Sequence, residues 1–217
     1  LLDSSDHLDP ETVFAAARAH EVCPFEVSLD LLPSTDLVVC DYNYVFDPTV
    51  GLSALLGSAA LRGAVLVVDE AHNLVDRSRE YYSPSLDTAL LERARRFLDS
   101  REVAVFSTLR ALLDDLAASS RSTVAAALGD RRAGTELATL PSAELGELRL
   151  AFDAAMLQYF LFKRENQLWL AEDQVIEAFL ALTRLHRVLR LGGDELVHLA
   201  SRAEDGREEV KVFCRDA

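Results

Sequence analysis

Residues 65–72, VLVVDEAH, place two carboxylates and an imidazole directly after four apolar side chains. An unbroken apolar run, which here begins one residue earlier, is typical of a strand buried on both faces of a helix-covered parallel sheet. A second run of this kind, DLVVC at residues 36–40, lies upstream, and a helical pattern at 48–57 separates the two. The sequence therefore predicts an α/β fold with parallel strands joined by a helix.

Composition limits the class of protein. With 217 residues, 50% of them hydrophobic, the chain is long enough for one large domain or two small ones. Acidic residues outnumber basic ones by 36 to 22, which argues against nucleic-acid binding by overall charge but leaves a local basic groove open. No apolar stretch reaches the roughly 20 residues of a membrane span, and three scattered cysteines suit a reducing compartment. We expect a soluble, cytoplasmic protein with no membrane partner.

Helical patterns dominate the middle of the chain. Residues 83–193 carry long Ala/Leu/Arg/Glu stretches, and apolar side chains recur at three- and four-residue steps within 145–162 and 176–189. Residues 194–217 return to strand patterns, with a turn predicted at Asp205-Gly206. This order predicts a large all-helical insertion into an α/β domain, its last two helices packed as an antiparallel bundle.

Asp69 and Glu70 are the first candidates for chemistry. The edge beyond the carboxyl ends of the strands is where open α/β sheets bind ligands. Two adjacent carboxylates there can divide the work of nucleotide hydrolysis, one holding a hydrated Mg²⁺ and the other polarising a water. The alternative is that Asp69 caps a helix beginning at Glu70 and that the remaining residues are solvated surface.

The string Asp-Glu-Ala-His at 69–72 matches the DEAH form of the Walker B motif, and VVDEAHNLVDRSREYYS resembles the iron–sulfur superfamily 2 DNA helicases of the XPD and DinG type. Upstream, residues 20–48 resemble the segment that links the iron–sulfur domain of those helicases to the first RecA-like motor domain. The C-terminal VKVFCRDA resembles the strand that leaves their inserted Arch domain. The likeness is specific for residues 22–83 and only topological for the helical middle.

The resemblance implies roles for three residues of the motif. Asp69 would hold the Mg²⁺ of MgATP, and Glu70 would be the general base that activates the attacking water. His72 would couple the state of the nucleotide to a second motor domain and to DNA. Arg77 and Arg79, just beyond the motif, either reach a phosphate or pair with neighbouring carboxylates.

The resemblance also implies an iron–sulfur ligand. Cys23, in Cys-Pro-Phe-Glu, would be one thiolate of a 4Fe-4S cluster, which requires four. The chain has no other cysteine near it, so the remaining ligands would have to lie outside this sequence, and without them Cys23 is expected to be a small buried thiol. Cys40 and Cys214 fall inside predicted strands, where we expect them to be core residues.

Tyr42, Asn43 and Tyr44 follow the first predicted strand. In a motor domain the aromatic rings would stack on bases of single-stranded DNA. Packing of the rings at a strand-to-helix corner, with Asn43 in the turn, is an equally good interpretation.

The resemblance divides the chain into four parts: 1–23 as the end of an iron–sulfur domain, 24–82 as part of motor domain 1, 83–193 as an Arch-like insert, and 194–217 as the return to motor domain 1. The sequence lacks a phosphate-binding Gly-x-x-x-x-Gly-Lys-Ser/Thr loop, and Leu1 is not an initiator. We therefore expect an internal fragment that neither hydrolyses ATP nor unwinds DNA by itself.

Three functions remain open. The leading hypothesis is an ATP-dependent DNA helicase, with ATP and single-stranded DNA as partners. The alternative is a non-catalytic module whose helical insert docks a partner protein. A metal-dependent nuclease using Asp69 and Glu70 ranks below both, because two-metal chemistry requires further acidic ligands at nearby strand ends.

Overall fold

The computed structural model describes residues 8–48, 64–99, 103, 106–168 and 170–215. The chain divides into two compact units, one ending at Glu70 and the other beginning at Ala71. This boundary falls inside the DEAH string, whereas the sequence suggested boundaries near residues 23, 82 and 193. The helix predicted at 48–57 lies almost wholly outside the described residues.

The described part of the first unit begins with a helix, where the pattern ETVFAAARAH at residues 11–20 predicts one. Helix α1, Pro10–Ala19, starts after Asp9, whose carboxylate accepts a hydrogen bond of 2.7 Å from the backbone N–H of Thr12. Proline suits the first helical position because a backbone N–H at that position would have no acceptor within the helix, so its absence costs nothing. Val13 and Ala17 are buried, and the helix packs against α2, Pro24–Leu31. A 3₁₀ turn, Leu32–Ser34, and a short helix α3, Asn43–Phe46, follow.

The prediction of two strands in this unit is wrong. Residues 37–41 and 64–68 have no regular secondary structure, and both stretches are largely exposed. Val39 and Val67 each retain 91% of their exposure. A strand exists only when a neighbour pairs with its backbone, and the described residues of this unit provide none for either stretch. Cys40, predicted as a core residue, is consequently exposed.

The second unit contains five α-helices among its described residues. After a 3₁₀ turn at Ala71–Asn73 they are α4, Leu74–Tyr81; α5, Thr88–Asp99; α6, Phe106–Leu128; α7, Ser142–Glu165; and α8, Gln174–Leu191. Helix α5 packs against α6 and α8, and α7 packs against the same two helices, so the four surround one core. Within the described ranges, no helix combines the length and apolar character needed to cross a bilayer.

The core faces of the last two helices follow the predicted spacing. Phe152 and Tyr159 of α7 and Leu182 and Leu185 of α8 are fully buried. The ring of Phe106 lies 5.8 Å from that of Tyr159, measured between centroids. The three- and four-residue steps in the sequence therefore identified the side of each helix that faces the core.

A four-stranded antiparallel sheet packs against α6. Its strands are β1, Ser85–Asp87; β2, Gly134–Leu137; β3, Leu196–Arg202; and β4, Glu208–Cys214, in the order β1-β4-β3-β2. The segment predicted to be all-helical thus contains two strands. They are too short to show an alternating pattern of their own, and they are strands because the edges of the β3–β4 hairpin pair with them.

The C-terminal hairpin agrees with its prediction. β3 and β4 pair from Leu196 opposite Cys214 to Arg202 opposite Glu208. The turn passes through Gly206, whose φ of +85° lies in the left-handed region that glycine adopts without strain. Cys214 is buried in β4, as expected.

The hairpin also ties the end of the second unit to its beginning. The N–H of Val212 donates to the carbonyl of Pro84 at 3.0 Å, and the N–H of Cys214 donates to the hydroxyl of Ser83 at 3.1 Å. Thr88 bonds both backbone groups of Glu208, donating to its carbonyl at 3.0 Å and accepting from its N–H at 3.2 Å. The two ends of the segment 83–214 within this unit thus meet through neighbouring strands.

Candidate functional site

The carboxylates of the DEAH string lie in an exposed turn at the end of the first unit. The side chain of Asp69 accepts a hydrogen bond of 2.9 Å from the N–H of Glu70. Glu70 has a φ of +50°, a left-handed conformation that is uncommon outside glycine. Strained backbone of this kind concentrates at functional sites. Both residues are exposed to solvent.

The imidazole of the string belongs to the second unit. His72 lies in the 3₁₀ turn Ala71–Asn73 that leads into α4, and it is exposed. Further along, Arg77 pairs with Glu80 at 3.3 Å and Arg79 with Asp76 at 3.7 Å. The structure therefore shows both arginines paired with neighbouring carboxylates, which is the second of the two interpretations given above. Such exposed pairs contribute little to stability.

The expectation that Cys23 is a buried thiol is wrong: it is an exposed residue immediately before α2, at the helix N-cap position. Cys40 is exposed as well, and desolvation together with the adjacent Asp41 carboxylate raises the pKa of its thiol. Across the described ranges, no group of three or more His, Cys, Asp or Glu side chains is arranged to hold a metal ion. A cluster requires four thiolates, so Cys23 and the residues described around it do not by themselves fit one.

The aromatic triplet forms a tight corner. The side chain of Asp41 accepts from the N–H of Asn43 at 3.3 Å, and the side chain of Asn43 accepts from the N–H of Tyr44 at 3.0 Å. The ring of Tyr44 lies 6.4 Å from that of Phe25. Tyr42, Asn43 and Tyr44 are each half-buried. Asn43 is the first residue of α3, and no strand precedes it, so the predicted strand-to-helix corner with Asn43 in the turn is not formed. Tyr44 packs near Phe25 within the unit.

Positive charge gathers where α7 and α8 cross. His186 approaches the backbone of Gly146 so closely that a Cβ on the glycine would lie 3.0 Å from the histidine Nε2. Burial, with the charges of Arg149 and Arg190, lowers the pKa of His186. Arg149 in turn pairs with Asp153 at 2.9 Å. His186 of α8 therefore packs against α7 at Gly146.

A groove of about 800 Å³ lies between α6, α7 and the segment that joins β2 to α7. Its charged lining residues are Asp115, Glu144 and Glu147, and its lining includes neither lysine nor arginine. Such a groove repels phosphates. It is therefore no candidate for a nucleotide or nucleic-acid site.

Sequence reasoning missed one polar cluster inside the second unit. Lys163 and Asp173 are 7% and 8% exposed and form an ion pair between α7 and α8. The available signal was the rarity of lysine, since Lys163 is one of two in a chain otherwise rich in arginine. Because the pair is buried between two helices, we interpret it as part of the core and not as a binding site.

Comparison with known proteins matches the N-terminal part of the chain. Residues 2–91 match the DEAD_2 family model. The chain is 35% identical over 91 residues to the Fanconi anemia group J protein homolog of Gallus gallus, covering 42% of this chain and 7% of that protein. It is 30% identical over 90 residues to the ATP-dependent DNA helicase CHL1 of Candida glabrata, covering 42% of this chain and 10% of the relative.

A third relative is the general transcription and DNA repair factor IIH helicase subunit XPD of Dictyostelium discoideum. The identity is 29% over 77 residues, covering 36% of this chain and 10% of that protein. Each match spans a tenth or less of the relative's length. The family match includes the DEAH string and ends inside α5, so it covers only the beginning of the second unit.

Proposed function

We propose that this chain is part of an ATP-dependent DNA helicase that couples ATP hydrolysis to movement along single-stranded DNA and to duplex unwinding. The observation that carries the proposal is the DEAH string within the region matching the DEAD_2 model. Relatives whose names include "ATP-dependent DNA helicase" and "helicase subunit" support it. The iron–sulfur subgroup of the XPD and DinG type is the finer assignment that we propose.

In this proposal the exposed turn at residues 69–70 faces the nucleotide. Mg²⁺ is commonly held by one or two carboxylates together with substrate phosphates, a requirement that the exposed carboxylate of Asp69 fits. The ion, when bound with ATP, would neutralise phosphate charge. Glu70 would orient the attacking water and accept its proton at the carboxylate. His72 would couple the state of the nucleotide to a second motor domain and to DNA.

Cys23 is proposed as one thiolate ligand of a 4Fe-4S cluster in the longer protein. Its exposure leaves the sulfur accessible, and the other thiolates would come from residues outside this sequence. For DNA, we propose Tyr42 as the contact from the aromatic triplet, because Tyr44 already packs against Phe25. Asn43 would hold the corner that presents Tyr42.

We propose that residues 83–214, the main part of the second unit, are an insertion into the motor domain. The hydrogen bonds from Val212 to Pro84 and from Cys214 to Ser83 support this arrangement, because they bring the two ends of residues 83–214 together. Chain ends that lie close together are what an inserted domain requires. The hairpin would then belong to the Arch-like insert and not to the motor to which the sequence assigned it.

The test is ATP turnover by the full-length protein carrying Glu70→Gln. We expect turnover to fall by at least about a hundredfold with ATP binding retained, because the amide cannot accept the proton of the attacking water. Glu80→Gln is the matched control, since Glu80 is an exposed glutamate of α4 that pairs only weakly with Arg77. Unchanged turnover in Glu70→Gln would contradict the proposal.

The alternative is a non-catalytic interaction module, and the exposed leucines of the second unit favour it. Leu150 and Leu157 on α7 retain 66% and 59% of their exposure. Under this alternative, Glu70→Gln and Glu80→Gln would behave alike in every nucleotide assay. Substitutions on α7 would instead abolish binding to a partner.

A further inference from the structure

Helix α7 has apolar side chains on two opposite faces. One face lies in the core of the second unit, with Phe152, Met156 and Tyr159 buried. The opposite face carries a stripe of residues that are exposed, apart from the half-buried Leu161. We call this the outer stripe: Glu147, Leu150, Ala154, Leu157, Leu161 and Arg164. A helix that is apolar on both sides is normally covered on both sides.

The spacing within the outer stripe is regular. Its members are separated by three, four, three, four and three residues along the chain. That alternation is the heptad pattern of a coiled-coil seam, in which the seam residues pack against a second helix. The apolar members are central, and one charge of each sign closes the two ends.

The outer stripe is also complementary to itself. Two copies of α7 can lie antiparallel about a two-fold axis that passes between Ala154 and Leu157. Ala154 of each copy then faces Leu157 of the other. In the same register Leu150 faces Leu161, and Glu147 faces Arg164. All four central positions then meet apolar partners, and both ends of the seam bring opposite charges together.

We propose that two copies of this chain associate through their outer stripes, with the α7 helices antiparallel. The inference does not depend on the helicase proposal, because the match to the DEAD_2 model ends at residue 91. The charge pattern favours a second copy over an unrelated helix. Glu147 at the N-terminal end and Arg164 at the C-terminal end are both paired by an antiparallel helix with the same pattern, which α7 itself supplies.

The size of the seam sets the expected affinity. Residues 147–164 span about 27 Å of helix at 1.5 Å per residue. One helix pair of that length buries less than the roughly 1,200 Å² of a standard stable complex. We therefore expect a dimer that forms in the micromolar range and dissociates on dilution.

The first test measures the molar mass of the 217-residue protein by analytical ultracentrifugation across a concentration series. We expect a reversible monomer–dimer equilibrium, and we expect Leu157→Glu to remain monomeric because it buries two carboxylates near the two-fold axis. Leu191→Glu is the matched control, since Leu191 is a comparably exposed leucine, at 56%, on α8. That control should dimerise like the unmodified protein.

A charge reversal tests the antiparallel register. Glu147→Arg places arginine opposite Arg164 of the second copy, and Arg164→Glu places glutamate opposite Glu147. Each single reversal should weaken association by about tenfold, because two symmetric pairs become repulsive. The double reversal should restore the original affinity. In a parallel arrangement each position would face its own copy, so like charges would meet in every variant and the single reversals would not weaken association.

Three outcomes would overturn the proposal. The first is a protein that stays monomeric to about 100 µM, which would assign the outer stripe to a different partner. The second is a dimer that Leu157→Glu leaves intact but that Val67→Glu abolishes, which would assign association to the exposed segment at 64–68. The third is a double reversal no tighter than either single reversal.

Discussion

The ammonium group of Lys163 donates a hydrogen bond to the buried carboxylate of Asp173, joining the end of α7 to the beginning of α8. The hydroxyl of Tyr159 donates to the same oxygen at 3.0 Å. The other oxygen of Asp173 caps α8 by accepting from the N–H groups of Val175 and Ile176 at 3.1 and 3.2 Å. One carboxylate thus combines an ion pair with a helix cap.

Lys163→Met tests the buried pair. We expect the free energy of unfolding to fall by about 3 kcal/mol, because removing one partner leaves the Asp173 charge buried without compensation. Urea unfolding followed by circular dichroism measures the change. The control is Arg121→Met, which removes an exposed pair with Glu92 between α5 and α6 and should cost less than about 1 kcal/mol. Equal losses in the two variants would contradict the prediction.

The close approach of His186 to Gly146 gives a second prediction. Gly146→Ala alone should destabilise the protein, because the new Cβ would lie 3.0 Å from the imidazole nitrogen. In a His186→Ala background the same substitution should raise the free energy of unfolding by up to about 1 kcal/mol, since alanine is a better helix former than glycine. A double-mutant cycle on unfolding free energies measures the reversal. The same sign in both backgrounds would show that the imidazole moves aside freely.

Thr183 provides a third prediction. Its hydroxyl oxygen is buried on α8 and has no hydrogen-bond partner among the described residues. Valine has a similar branched shape without the unsatisfied oxygen, so Thr183→Val should raise the free energy of unfolding by about 1 kcal/mol. Thermal unfolding compares the variant with Thr108→Val, a threonine substitution at an exposed position of α6 that should change little. A destabilised Thr183→Val protein would indicate that the hydroxyl has a partner.

Stability should depend on pH through two histidines. Burial, Arg149 and Arg190 lower the pKa of His186, and burial lowers the pKa of His198. Unfolded histidines bind protons near pH 6.5, so between that value and the lower folded pKa the unfolded state holds more protons. Stability therefore rises with pH across this interval. It is fully present above about pH 7 and is lost as the pH falls below about 6.5.

Urea unfolding at several pH values between about 5 and 8 measures this dependence. The double variant His186→Gln and His198→Gln should show a flatter profile across that range. His20→Gln, at an exposed position of the first unit, should retain the slope of the unmodified protein. An unchanged slope in the double variant would assign the dependence to other groups.

Local patterns predicted the parts of the fold that depend on neighbours in sequence. Helix α1 follows from Pro10 and the apolar steps behind it, and the hairpin turn follows from Gly206. The buried faces of α7 and α8 follow from their three- and four-residue spacing. In each of these cases the side chains that determine the structure lie within a few residues of one another.

Strand pairing was beyond this reasoning because it depends on distant partners. The apolar runs at 36–40 and 64–68 have strand composition but no strand neighbour within the described residues of their unit. β1 and β2 have little strand composition and are strands because β4 and β3 offer them edges. The same limit applied to Cys40, whose predicted burial depended on a sheet around it.

The candidate site was only partly predictable. The motif identified Asp69, Glu70 and His72 as a group, and the structure adds a left-handed turn at Glu70 that no residue type there signals. The division between the two units directly after Glu70 is also invisible in the sequence. These features arise from how the backbone is held, not from side-chain pattern.

The antiparallel pairing of β1 with β4 determines how the second unit bears a mechanical load. Ser85 lies opposite Lys211 and Asp87 opposite Glu209, so the chain enters and leaves at the same end of this strand pair. A force pulling residues 83 and 214 apart loads the hydrogen bonds between the strands one after another, in unzipping geometry. Tension along the backbone therefore peels β1 away at low force before it reaches the helices.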